Sequence, residues 1–236
     1  MLNKSIIHAS CKGNKGDLPY QDYVSVIESS SYSFAIVADG LGSSRSSARG
    51  ANIICSMLME RFNSVGGHLF DIKEEVEKAV ENWYSYFDKL GVPTNDCLTT
   101  CSFIFIDHEY NIAKIGFVGD SPIFYRRNGG KVLSTITEKF FLNETSCIGT
   151  YRRPVFTIKE IPFAGKFDFL ICSDGFGDEI IIEKVDALFD YFYEKYSEIK
   201  TNKRDKLLKQ ELVSSMQDKN NDDKSIVFGW IHDERN

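Results

Sequence analysis

Apolar residues recur along this chain at two spacings, and the change from one to the other marks out its elements. Near the start, Ile6 to Ser10, Tyr23 to Ile27 and Phe34 to Ala38 form short apolar-rich runs. They are separated by the polar stretches GNKGDLP and ESSSYS, and each reads as a strand bounded by turns. From Ser46 to Phe62 the spacing widens. Ala48, Ala51, Cys55, Leu58 and Phe62 recur in steps of three and four, which places them on one face of a helix. Ser43, Ser44 and Ser46 are its candidate caps. A second helix is expected from Asp71 to Leu90, with Ile72, Val76, Ala79, Trp83, Phe87 and Leu90 along one side and Gly91 and Pro93 to stop it.

The middle third returns to strand spacing. TTCSFIFID, NIAKIGFVGD, SPIFYRRN, KVLSTIT, PVFTIKEI and FDFLICSD read as strands, punctuated by turn signals such as DHEYN and NGG. Beyond Asp174 helical spacing resumes. Val185, Leu188, Phe189, Phe192 and Tyr196 make one stripe, and Leu208, Leu212 and Met216 another. A final strand, Ser225 to Ile231, follows the polar run DKNNDDK. Strands in consecutive blocks favour antiparallel sheets, and helices in blocks favour layers covering them. The expected architecture is α+β: a four-layer αββα sandwich of two antiparallel sheets flanked by helices. It would be built as one domain over residues 1–236, since no linker or repeat divides the chain.

Composition narrows the class of function. The chain has 236 residues, 42% hydrophobic and 13% aromatic, enough for one well-buried core. A net charge of −6 and a pI near 5.3 give no positive field for nucleic acid or an anionic membrane. The six cysteines form no CxxC pair and several lie within apolar runs, which reads as reduced, buried thiols rather than zinc ligands or a disulfide frame. No run reaches the roughly 20 apolar residues of a membrane span, so the expected location is the cytoplasm.

The chemistry lies where strands end. FAIVADG stops on Asp39, NIAKIGFVGD on Asp120 and FLICSDG on Asp174, while Asp22 opens DYVSV and Asp222-Asp223 precede SIVFGWI. An unpaired carboxylate at the inner end of an apolar strand is costly. If these ends meet at one rim of the sandwich, mutual repulsion would protonate some of the groups unless cations sat among them. Hard divalent ions, Mg²⁺ or Mn²⁺, take oxygen ligands of this kind and keep several waters. The glycines after Asp39 and Asp174 allow sharp turns and close approach of a carbonyl.

In this order and spacing, QDYV, FAIVADGLGS, IAKIGFVGDSPIFY, FLICSDG and DDKSIV resemble the motif set of the metal-dependent protein phosphatases of type 2C, particularly their compact bacterial branch. The likeness runs from about Asp17 to Trp230. It implies a cytoplasmic signalling enzyme that hydrolyses phosphoserine and phosphothreonine in proteins. Attack would be direct, by a metal-activated water at a dinuclear Mn²⁺ or Mg²⁺ centre. By that resemblance Asp39 bridges two ions with the Gly40 carbonyl on one of them, and Asp174 and Asp222 hold the other. Asp22 binds or orients the water, and Asp120 helps to hold a third ion. Asp22, Asp39 and Asp174 are thereby the catalytic candidates. The expected partners are a phosphorylated protein and a cognate Ser/Thr kinase, with the enzyme itself a monomer.

The chain departs from the family pattern at several places. Gln21 stands where many members carry glutamate, and Leu41 where eukaryotic members carry an acid histidine. Asp17 occupies the place of the phosphate-gripping arginine, which leaves Lys12, Lys15, Arg45 and Arg49 as substitutes. Arg45 and Arg49 lie near a helix N-terminus, a favourable place for an anion. Glu138 to Arg153 falls where the family inserts a flap, with Phe140 and Phe141 as candidate anchors. Two rival readings stand beside the phosphatase: a catalytically silent binding module, and a hydrolase of small phosphate esters.

Overall fold

The computed structural model describes residues 2–65, 71–135, 146–151 and 153–233. One sheet holds β2 (Asp22–Glu28), β3 (Tyr32–Asp39), β4 (Cys101–Asp107), β5 (Ile112–Val118) and β8 (Thr157–Pro162), hydrogen-bonded in that order. The other runs β1 (Leu2–Cys11), β10 (Lys224–Asp233), β9 (Lys166–Cys172), β6 (Ile123–Arg127) and β7 (Leu133–Ser134). Every pairing within both sheets is antiparallel. Helices α1 (Ser47–Val65) and α2 (Ile72–Lys89) cover the first sheet. The short α3 (Asp174–Gly177) follows β9, and α4 (Val185–Ser197) and α5 (Thr201–Met216) cover the second sheet.

The four layers follow from side-chain alternation, because successive residues of a strand point to opposite faces. In β3, Phe34, Ile36 and Ala38 pack against α1 and α2, whereas Ala35 and Val37 face the opposite sheet. In β9, Leu170 and Cys172 meet the α4–α5 layer while Phe167, Phe169 and Ile171 fill the space between sheets. Strands with two covered faces need apolar residues at every position, which is why FAIVA and FLIC are unbroken.

The helical stripes behave as their spacing predicts except at Leu90, which caps the end of α2 and is exposed. Ala51, Cys55, Leu58 and Phe62 of α1 are buried, as are Ile72, Val76, Ala79, Trp83 and Phe87 of α2. Asp71 caps α2 by accepting hydrogen bonds from the backbone N–H groups of Lys73 and Glu74, satisfying donors that the helix itself cannot. The indole N–H of Trp83 donates to the Gly50 carbonyl at 3.0 Å, locking α2 to α1. Truncating the wholly buried Phe62 to alanine would cost about 3–5 kcal/mol through the cavity left behind.

Two strand expectations need correction. Of KVLSTIT, only Leu133 and Ser134 form a strand among the described residues, and Ile136 and Thr137 fall outside them. PVFTIKEI becomes strand only from Thr157. Both are edge strands, paired on one side, and Pro154 has no N–H to give to a ladder. The expected flap lies partly outside the described residues, Phe140 and Phe141 included. All six cysteines are free and buried. Among the described residues no helix is long and apolar enough to cross a membrane.

Candidate metal centre

The strand register brings the aspartates together. Asp22, the first residue of β2, lies directly opposite Asp39, the last residue of β3. Asp120 follows β5 by two residues, Asp174 follows β9 by two, and Asp222 precedes β10 by two. These ends converge on one cleft of about 200 Å³, lined by Asp39, Gly40, Leu41, Asp120, Asp174 and Asp222 together with Gly42 and Thr100. Gly119 has φ +103°, a conformation that disfavours any side chain, and a Cβ there would lie 2.6 Å from Thr100. The turn that delivers Asp120 therefore requires glycine. Gly40 is held so close to the start of α1 that a Cβ would come within 2.7 Å of the Ser47 backbone. Its own N–H donates to the Gln21 carbonyl at 3.2 Å.

The electrostatics set this cluster apart. Asp22 is 4% exposed, and among the described residues neither of its carboxylate oxygens has a hydrogen-bond partner. One buried oxygen of Asp174 is likewise unpartnered. Burial pushes the Asp22 carboxyl up to about 7. Burial, then the charges of Asp22 and Asp174, holds Asp39 well above the usual carboxylate range. Asp174 is raised as well, first by burial and further by Asp222 and Asp120. Unscreened carboxylates buried together favour their neutral forms unless a cation compensates them.

The donor set fits hard divalent ions. It consists of carboxylates and a backbone carbonyl, with no imidazole or thiolate. Among the described residues no three acidic, His or Cys side chains gather tightly enough to cage one ion. Hard divalent ions such as Mg²⁺ keep several waters and take one or two protein carboxylates each.

The terminal aspartates divide their work. Asp222 is half exposed at the cleft. Asp223 is 1% exposed, and its two oxygens accept from the backbone N–H groups of Gly13 at 2.9 Å and Gln21 at 2.8 Å. It therefore clamps the segment leading into Asp22. Behind Asp222, the wholly buried Lys224 ammonium donates to the Asn220 side-chain oxygen at 2.7 Å and to the Asp222 carbonyl at 2.8 Å. The Asn220 amide in turn donates to the Gly175 carbonyl at 2.9 Å, tying the Asp222 loop to the Asp174 turn. Sequence reasoning passed over Asp223 as a clamp and Lys224 as a brace. The available signal was a lysine at the head of an otherwise apolar strand.

The cationic candidates are placed differently from one another. Lys15 reaches the edge of the cleft, where its ammonium pairs with Asp222 and lies 3.4 Å from both Asp223 Oδ2 and Gln21 Oε1. Arg45 is exposed ahead of α1, and Arg49 donates to the Tyr86 hydroxyl at 2.8 Å on α2. Neither arginine lines the cleft. Lys12 donates to the Gly16 carbonyl at 2.7 Å, and Asp17 is exposed. Gln21, in the place of the family's glutamate, donates to Ser47 Oγ at 2.6 Å.

A family model described as Protein phosphatase 2C matches residues 13–215. No curated protein matches the chain. Among solved structures, the catalytic domain of the serine/threonine protein phosphatase PstP with two manganese ions is 18% identical. The match covers 99% of this chain and 100% of that one, with a TM-score of 0.69. RsbX in complex with magnesium is 14% identical over 97% of this chain and 95% of its own, with a TM-score of 0.64. The phosphatase domain of SpoIIE from Bacillus subtilis, with a fragment of its regulatory domain, is 19% identical. It covers 98% of this chain and 65% of its own, with a TM-score of 0.62. At these identities the likeness establishes the fold.

Proposed function

Because the chain belongs to the protein phosphatase 2C family, we propose that it is a metal-dependent protein phosphatase acting on phosphoserine and phosphothreonine at a dinuclear Mn²⁺ or Mg²⁺ centre. The observation that carries this reading is the convergence of Asp39, Gly40, Asp120, Asp174 and Asp222 on one cleft, with the unpartnered Asp22 carboxylate buried beside it. Asp39, the Gly40 carbonyl, Asp174 and Asp222 would hold two ions, and Asp120 would contribute to a third. The PstP domain holds two manganese ions and RsbX magnesium, which supports the choice of metals.

Divalent ions in such a site lower the pKa of water and neutralise phosphoryl charge, together worth several kcal/mol. The chain's own groups supply the rest. Asp22, opposite Asp39 and raised to about 7, is suited to orient an attacking water and to take up its proton at a carboxylate oxygen. Lys15, the cation nearest Asp222, can turn its ammonium toward a phosphate oxygen at the mouth of the cleft. Arg45 and Arg49 would then meet the protein substrate farther out. No cysteine is involved, since all six are buried and burial raises the thiols of Cys101 and Cys172. The phosphoprotein substrate implies a kinase acting on the same protein.

The deciding experiment is hydrolysis of p-nitrophenyl phosphate and of a phosphothreonine peptide with Mn²⁺, with Mg²⁺ and with EDTA. Metal-dependent turnover of the peptide, lost in Asp39→Asn and Asp174→Asn, is the expected result. Tight Mn²⁺ binding without any turnover would replace the enzyme with a silent binding module. Turnover confined to small esters or nucleotides would move the substrate class instead.

A further inference from the structure

The Lys15 ammonium sits on the outward carboxylate of the proposed centre, and its three partners differ in how firmly they are fixed. Asp223 is buried and pinned by two backbone N–H groups, and Gln21 is fastened to Ser47. Asp222, by contrast, is 46% exposed at its side chain, and among the described residues Lys15 is its only salt-bridge partner. Lys15 itself is only 12% exposed at its side chain, so the ammonium half of the pair is largely shielded from bulk solvent. A lysine ammonium is charged throughout the neutral range.

We propose that Lys15 is a tethered counter-ion that competes with divalent metal for Asp222. In the ion-free protein its single positive charge is shared between Asp222 and Asp223. An ion entering at Asp222 must displace it, and the ammonium then stays on Asp223 and Gln21, facing the cleft. The consequence is a threshold: affinity at the Asp222 ion is held down, and occupancy follows the free Mn²⁺ or Mg²⁺ concentration. This inference rests on the metal-centre reading above and adds to it a regulatory role for one residue.

Isothermal titration of Mn²⁺ into the EDTA-stripped full chain tests it without reference to turnover. Lys15→Met should bind the weaker Mn²⁺ roughly five- to ten-fold more tightly than wild type, the scale on which a partly shielded ion pair opposes a competing cation. Lys15→Arg, which keeps the charge, should stay near the wild-type affinity. Lys219→Met, which removes an exposed charge three residues before Asp222, serves as the control and should change affinity less than two-fold by simple screening. The ion-free melting temperature of Lys15→Met should fall while its Mn²⁺-saturated value does not. Unchanged or weaker Mn²⁺ binding in Lys15→Met would overturn the proposal, as would equal tightening in Lys219→Met. A wild-type protein that binds no Mn²⁺ would remove the metal centre itself. Failure to hydrolyse phosphopeptides, with the titration pattern intact, would touch only the assigned activity.

Discussion

Two buried aspartates, Asp168 in β9 of the second sheet and Asp22 at the start of β2 in the first, have opposite fates. Asp168, near the start of β9, is 3% exposed and fully served by the protein. His232 Nε2 lies 2.6 Å from one oxygen, and Arg126 Nε donates to the other at 3.0 Å. Arg126 continues to Asp190, and the His232 ring lies tilted against the Tyr193 ring with centroids 4.4 Å apart. Asp22, at the far rim, is just as buried and has no partner for either oxygen among the described residues. Where the fold uses a buried carboxylate for architecture, it builds the counter-charge from its own side chains. At the rim it does not, and under the proposed function the compensation would come from an ion. Buried charge is tolerable in both places for the same reason, which is neutralisation.

Four experiments would sharpen or break that contrast. The largest effect is expected from Asp39→Asn and Asp174→Asn, each lowering Mn²⁺-dependent hydrolysis of p-nitrophenyl phosphate by about a thousand-fold or more, since several kcal/mol of charge stabilisation disappear. Their ion-free stability should not fall. Asp168→Asn should do the reverse, costing about 3 kcal/mol in urea unfolding by removing the buried charge that Arg126 and His232 share, with activity retained at permissive temperature. A rim variant that unfolds, or an Asp168 variant that folds normally but loses catalysis, would collapse the distinction.

Asp22→Asn should stabilise the ion-free protein by about 1–2 kcal/mol, because an unpaired buried charge is replaced by a neutral amide of the same shape. Loss of stability on that change would mean the carboxylate is already compensated. The smallest effect concerns pH. Asp22 is raised to about 7, and Asp39 and Asp174 are raised too, so the ion-free fold binds more protons than the unfolded chain between about pH 4 and pH 7. Its stability therefore falls as pH rises through that window. Mn²⁺ competes with those protons, and its stabilisation should be larger at pH 7.5 than at pH 5, by a few degrees in Tm for a chain of this size. Equal Mn²⁺-induced shifts at both values would count against ions replacing protons.

Much of this was open to reading because its physics is local. The stripe from Ala51 to Phe62 and the run FAIVAD announce their elements, since alternation and helical spacing are written residue by residue. The aspartates at strand ends were visible as an anomaly, and the motif order gave it a chemical meaning. What could not be read depended on partners distant in sequence. Asp22 faces Asp39 only through the β2–β3 register, and Asp223 finds Gly13 only because β10 lies beside β1. Arg49 and Lys15 look equivalent along the chain. One folds back onto Tyr86 and the other reaches Asp222. KVLSTIT reads as a full strand, yet only Leu133 and Ser134 are strand among the described residues, where they pair with Tyr125 and Phe124.

The sequence by itself determined the type and order of the elements, the two covered faces of each sheet and the set of carboxylates available to a metal. These follow from the periodic burial of side chains and the cost of leaving a charge alone. The tertiary structure alone decided which carboxylates share the cleft, which aspartate of the final pair became a clamp, which basic residue pairs with Asp222 and which buried acid was given side-chain partners of its own. Those outcomes are set by register and packing between segments as much as 200 residues apart, and no local pattern encodes a distance through space.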